Sequence, residues 1–342
     1  MGKHVGITGI GIYLPEEIMT AEDISKATSG VWSTEAVREK LGINQKYVPG
    51  LNDGTQEMGA KAAERAIKDA DIDPTEIDVI LCFGEEWKEY PLTTSALYIQ
   101  DYIGATKAWG IDIQNRCCTT LTAIKMAKDM LMADDDIDTI LIAGGYRNGD
   151  LVDYTEATSS MFFDLSAGGG ALVLKKNAGK NVILGSHIVS DGSFARMAGV
   201  GIGGTAQPVN EANLSEAYSS LQLFEPEAMK KGLGQVSMAN WMTCIDESLN
   251  KSGYTKADID YLNILHIKRS AHHDMLERME LAPEQSIYLE DYGHLGQIDQ
   301  ILSLKLGLEQ GKISEGSIVA SIAAGIGYVW AANVIKWGAH NE

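Results

Sequence analysis

Four side chains have types and positions that suit nucleophilic and acid–base chemistry: Cys117, His266, His294 and Glu85. Cys117 falls where a short strand, Gly110 to Ile113, gives way to an amphipathic helix with Leu121, Ile124, Ala127 and Leu131 at helical spacing. A thiol there lies near the positive end of the helix macrodipole, which favours thiolate over thiol. The same position also fits a buried, inert cysteine, since free Cys is among the most buried residue types. Cys118 is rotated about 100° further round a helix start, so only one of the pair faces a site. His266 follows the strand Tyr261 to Leu265, His294 precedes a helix, and Glu85 follows the buried strand Val79 to Phe83. Adjacent His272 and His273 point apart on a helix and do not chelate one metal. No resident metal or cofactor is expected.

Composition bounds the classes open to the chain. With 342 residues, 45% hydrophobic and 22% charged, it is globular and long enough for two ordinary domains. A formal charge of −19 argues against nucleic acid and against an anionic membrane surface. Four cysteines without framework spacing point to a reducing, cytoplasmic setting. Ile318 to Ile335 is apolar, but Gly325, Gly327 and Asn333 divide it into two buried strands around a turn rather than one membrane span.

The elements that must position these residues repeat. Ile77-Asp78 before one strand matches Ile259-Asp260 before another, 182 positions on. Val5 matches Val182, Ile111 matches Ile287 and Ile140 matches Ile318, at offsets of 177, 176 and 178. The repeat implies a duplicated α/β unit, residues 1–176 with the cysteine and residues 177–342 with both histidines. Two mostly parallel or mixed sheets sharing a buried helical layer make five layers. Thiol, carboxylate and two imidazoles then project from equivalent sheet ends toward one interface. Gly6-x-x-Gly9-x-Gly11 lacks the spacing of a nucleotide loop and reads as a tight strand-to-loop turn.

Several segments in this order resemble the thiolase superfamily, and among it ketoacyl-acyl-carrier-protein synthase III and its relatives. They are Ile111-Asp-Ile-Gln-Asn-Arg-Cys117, Ser190-Asp-Gly-Ser-Phe194, Ile264-Leu-His266, Asp291-Tyr-Gly-His294 and Gly325-Ile-Gly-Tyr-Val-Trp330. The resemblance covers nearly the whole chain. It implies a homodimeric, cytoplasmic acyltransferase that loads an acyl group on Cys117 and joins it to a second acyl thioester in fatty acid or polyketide synthesis. Acyl-CoA or an acyl carrier protein would supply the substrate. His266 matches the family's histidine, and the oxyanion hole falls on the backbone amides of Cys117 and Ile326. His294 stands where synthase III enzymes carry Asn, so the set resembles the Cys-His-His of elongating synthases. Cys82-Phe-Gly-Glu85 is similar to the segment that ends in the catalytic glutamate of 3-hydroxy-3-methylglutaryl-CoA synthase, which implies an aldol-type alternative. Trp32 falls where the family stacks the CoA adenine, and Ser159 or a neighbour where a base would meet the CoA phosphates. Tyr90, Lys268 and Arg269 are further candidates for substrate contact, the two bases at a tunnel mouth. Acyl transfer to oxygen or nitrogen, and a silent subunit in a hetero-oligomer, are the remaining alternatives.

Overall fold

The computed structural model describes residues 3–84, 87–218 and 220–340, so Glu85 lies outside the described residues. The first half runs β1 (Val5–Tyr13), β2 (Glu17–Thr20), α1 (Ala21–Ala27), α2 (Thr34–Ala36), β3 (Gln45–Val48), α3 (Thr55–Ala70) and β4 (Val79–Phe83). It continues with α4 (Ser95–Ile103), β5 (Trp109–Ile113), α5 (Thr119–Ala133), β6 (Thr139–Tyr146) and β7 (Gly168–Lys176). The second half holds β8 (Lys180–Ser190), β9 (Ala198–Val200), β10 (Leu221–Leu223), α6 (Pro226–Ser252), β11 (Tyr261–Ile264) and α7 (Arg269–Arg278). It closes with α8 (Asp299–Glu309), β12 (Ile318–Gly325) and β13 (Val329–Ala339).

Nine of the described strands pair in the order β11-β12-β13-β8-β1-β7-β6-β4-β5. Under the sequence repeat, β1-β7-β6-β4 and β8-β13-β12-β11 are the same order, and the two runs join where Gly6 pairs antiparallel with Val182. The repeated aspartates do the same work in each copy. Asp78 Oδ2 accepts from the amides of Asp138 and Thr139 at the start of β6, and Asp260 Oδ2 accepts from Ile318 N at the start of β12. Each fixes where the neighbouring parallel strand begins.

Helices α5 and α8 lie between the halves: α5 touches β4, β6 and β7 on one side and β8, β12 and β13 on the other. Leu121, Ile124, Ala127 and Leu131 of α5 are buried in the largest core cluster together with Ile298, Ile301 and Leu302. Full burial of a Leu or Ile contributes about 1.5–3 kcal/mol, so this shared layer holds the halves together. Helices α3 and α4 cover the first half and α6 the second, which completes the five layers.

Two expectations about local structure change. The Gly6–Gly11 run is not a turn but the body of β1, and its glycines serve close packing. A Cβ on Gly11 would lie 2.0 Å from the Ala62 carbonyl oxygen of α3, so only hydrogen fits between strand and helix. The strand expected at Ile287 reduces to one parallel bridge, Leu262 with Ser286, because the chain leaves the sheet edge there for the loop that carries His294.

Candidate active site

The setting of Cys117 follows from its local chain. After β5, Arg116 takes a left-handed conformation (φ 51°), and a single 3-10 turn, Arg116–Cys118, leads into α5. The bend leaves Cys117 half-buried at the helix N-terminus while Cys118 is sealed in the core, its Sγ 3.5 Å from the Val329 carbonyl oxygen. Burial pushes the Cys118 thiol well above its ordinary range. The two cysteines are thus separated in role by one residue of rotation.

Cys117 Sγ lies 3.2 Å from His294 Nε2. His294 Nδ1–H donates to Asp299 Oδ2 at 2.6 Å. Asp299 is fully buried in the first turn of α8, and its carboxylate also accepts from the amides of His266 (2.7 Å) and Leu295 (2.8 Å). Burial pulls the His294 imidazole down, but the charges and hydrogen bonds of Asp299 and Cys117 outweigh it and hold the ring well above its usual value. The arrangement is a thiol, an imidazole and a carboxylate in line, with the carboxylate fixing the tautomer.

His266 meets other partners than the thiol. Its Nδ1 faces Asp164 Oδ2 at 3.2 Å and its Nε2 faces the Gly42 carbonyl oxygen at 3.1 Å. Both nitrogens are occupied and the side chain is 0% exposed, so the ring is not offered to Cys117. The reason is Gly42, which ends the turn Val37–Leu41 and brings its carbonyl oxygen to Nε2. Burial pushes the Asp164 carboxyl up, but the hydrogen bond and charge of His266, with His294 and Lys46, outweigh it and keep it below its usual range.

The remaining candidates are spread out. A cavity of about 300 Å³, one residue from Cys117, is lined by Asn115 and Arg116 on one side and Ile326 and Gly327 on the other. A Cβ on Gly325 would lie 3.0 Å from Cys117 N, so glycine there keeps that amide clear. Trp32 is half-buried and meets Phe163 edge-on, with ring centroids 6.4 Å apart. Tyr90 is exposed on the loop before α4, and Lys268 is exposed at the start of α7. Arg269 is not free for a phosphate: it pairs with Glu290 and lies 4.6 Å from the centroid of the Tyr288 ring. Ser159 is buried and donates to the carbonyls of Asp153 and Glu156, a loop-holding role. His272 lies beside Tyr288; burial, with the charges of His273, His266 and Arg269, lowers its pKa to about 4, and no group of three or more potential ligands for a metal ion occurs among the described residues.

Sequence reasoning missed Asp299, Asp164 and Lys46. An acid in the first turn of a helix reads as a helix-dipole partner, which hid Asp299. Asp164 did carry a signal, an acid directly after Phe162-Phe163 in an otherwise apolar run.

Five layers built from a duplicated α/β unit, with a half-buried free cysteine at the N-terminus of a central helix, define a thiolase-fold acyltransferase. Residues 111–192 match the family 3-Oxoacyl-[acyl-carrier-protein (ACP)] synthase III, and residues 249–337 match its C-terminal part. The chain belongs to that family. It is 25% identical over 337 residues to the beta-ketoacyl-[acyl-carrier-protein] synthase III of Symbiobacterium thermophilum, covering 98% of this chain and 99% of that one. The corresponding protein of Microcystis aeruginosa is 27% identical over 341 residues, covering 98% of each. Among solved structures, the synthase III of Thermus thermophilus superposes with a TM-score of 0.82 at 22% identity, over 98% of this chain and 100% of that one. OleA of Xanthomonas campestris superposes with a TM-score of 0.81 at 15% identity, over 98% of each chain.

Proposed function

We propose that this acyltransferase loads an acyl group onto Cys117 and joins it to a second acyl thioester by forming a carbon–carbon bond. The observation that carries the reading is the 3.2 Å contact of Cys117 Sγ with His294 Nε2, backed by Asp299. The thiolate attacks the thioester carbonyl, and the amides of Cys117 and Ile326 are the donors for the developing oxyanion. The departing thiolate takes the proton that His294 Nε2 carries. In the second step the second thioester loses CO2, when it is a malonyl group, or an α-proton to the now unprotonated His294, and the carbanion so formed attacks the Cys117 thioester carbon and expels the Cys117 thiolate. Protonated His294 is a donor for the enolate oxygen of that thioester, and the unprotonated ring is a base for its α-carbon. His294 therefore takes the part that the family resemblance gave to His266, while His266 braces the site. Glu85 is the additional base for a non-decarboxylating acceptor, next in chain to Gly84 beside β4.

Acyl-CoA or acyl carrier protein is the substrate, with exposed Lys268 and half-buried Trp32 at the approach. A homodimer in the cytoplasm, free of a resident cofactor, completes the reading. The exposed Trp109 and Ile111 of edge strand β5, flanked by Leu97, Tyr98 and Tyr102 of α4, are an apolar surface suited to a second copy. We assign the halves to residues 1–176 and 177–342, divided in the turn between β7 and β8.

A second reading, acyl transfer to oxygen or nitrogen, draws on the same Asp299. With Nδ1–H held by the carboxylate, neutral His294 presents Nε2 as an acceptor for a hydroxyl or amine proton. Intact-mass measurement with acetyl-, malonyl- and longer acyl-CoA, followed by product analysis with malonyl, non-malonyl, alcohol and amine acceptors, tests both. An adduct lost in Cys117→Ala and a β-keto product support the first reading; an ester or amide as sole product replaces it with the second. Equal use of malonyl and non-malonyl acceptors by Glu85→Gln and wild type removes Glu85 from the mechanism.

A further inference from the structure

A fully buried lysine sits behind the catalytic histidine with no role in the chemistry described above. Lys46 on β3 is 2% exposed, and its Nζ donates to the carbonyl oxygens of Phe163 (2.8 Å) and Leu165 (2.6 Å). The segment between and beyond those carbonyls grips His294. His294 N donates to the Asp164 carbonyl at 2.7 Å, Ser166 N donates to the His294 carbonyl at 2.9 Å, and Leu165 and His294 form a parallel bridge. The segment leaves a 3-10 turn at Phe163 and pairs with His294 through the one bridge at Leu165. The carbonyls of Phe163 and Leu165 face Lys46, and the intervening Asp164 carbonyl and the following Ser166 amide face His294. The fit is close: a Cβ on Gly293 (φ 69°) would lie 2.6 Å from the Asp164 carbonyl oxygen and 2.8 Å from Lys46 Cβ.

We propose that Lys46 is a positioning residue for the Cys117–His294 pair, acting by holding the Phe163–Ser166 strut whose other edge fixes the His294 backbone. The proposal rests on reading Cys117 as the nucleophile and His294 as its partner. Burial lowers the Lys46 amine to about 7, partly offset by Asp164, yet both protonation states satisfy the strut. An ammonium has three N–H donors and an amine two, and there are two carbonyls to fill. Removing the amine leaves two buried carbonyls without partners, and the relief open to them is for the strut to turn toward water. His294 Nε2 would then leave the thiol, while Asp299, anchored separately by Leu295 N and His266 N, would stay.

The test is the rate of iodoacetamide alkylation at Cys117 at one fixed pH, read by peptide mass in the full chain. Wild type, His294→Ala, Lys46→Met and Lys46→Gln are compared, each with its melting curve and its acylation by acyl-CoA. His294 Nε2, 3.2 Å from Sγ, assists loss of the thiol proton, so His294→Ala slows alkylation by about tenfold or more. Lys46→Met is expected to slow it about threefold, through misplacement of that ring. Lys46→Gln, which keeps a donor and carries the test alone where the Met variant does not fold, slows it less. A lysine that merely stabilises the chain lowers the melting temperature and leaves the alkylation rate of the folded protein at the wild-type value; that result in either variant overturns the proposal. Should wild type accept no acyl group while the Lys46 variants still slow alkylation, the positioning role stands and the acyl-loading reading fails. Alkylation slowed by His294→Ala and unchanged in Lys46→Met and Lys46→Gln overturns the positioning role and leaves the acyl-loading reading in place.

Discussion

Two histidines lie back to back in this site, His294 beside the fully buried Asp299 carboxylate and His266 beside the partly exposed Asp164. His294 stands between Asp299 and the Cys117 thiol, with 10% of its side chain exposed; His266 stands between Asp164 and the Gly42 carbonyl, with none. They share a seam, since the His266 amide binds the carboxylate that orients His294. What separates the two imidazoles is not residue type. It is whether the second ring nitrogen meets the Cys117 thiol or the Gly42 backbone carbonyl.

The sharpest way to break this comparison is at the thiol. Cys117→Ala is expected to lose the acyl adduct in intact-mass spectra and at least about 10⁴-fold in turnover, while Cys118→Ala keeps the adduct. Next is the carboxylate: Asp299→Asn should lower the acylation rate by about 10²–10⁴-fold, because the amide admits the wrong tautomer of His294. A rate within tenfold of wild type would mean that His294 needs no orienting partner.

His266→Ala should show the reverse pattern. It leaves Asp164 without its main partner, so denaturant unfolding should register a loss of about 3 kcal/mol. The acylation rate of the folded fraction should change less than about tenfold. A hundredfold slower acylation at unchanged stability would return His266 to the chemistry.

The two regions should also answer pH with opposite sign. His294 is raised in the folded state, so its contribution is complete below the unfolded imidazole value of about 6.5 and is lost as pH rises through the folded value. Lys46 is lowered from 10.5 to about 7, so its contribution is complete above about 10.5 and is lost as pH falls toward 7. Urea unfolding from pH 6 to 10 should therefore show the wild-type advantage over His294→Gln shrinking with pH. The difference between wild type and Lys46→Met should move in favour of wild type with pH. Parallel curves for both variants would erase the distinction. The smallest effect is expected at the rim, where Lys268→Ala should raise KM for an acyl-CoA about twofold to fivefold with kcat unchanged, since an exposed charge contributes little.

Much of the fold was legible because it is written in local periods. Strands such as β4 and β12 are short apolar runs, α5 shows its buried face at helical spacing, and the Ile-Asp pairs marked equivalent strand starts in both halves. Helix α6 was not legible over its full 27 residues, since its buried positions cluster after Trp241 and its first half packs too little to carry a pattern. Cys117 could be singled out from sequence because a strand-to-helix joint is a local feature. The line from Cys117 to His294 spans 177 residues, and Lys46 reaches carbonyls 117 and 119 residues away. Sequence determined the duplicated layers and the thiol at the head of the central helix. Tertiary structure alone decided which histidine meets it, because a ring's role depends on what faces its second nitrogen, and those partners come from loops that no local period encodes.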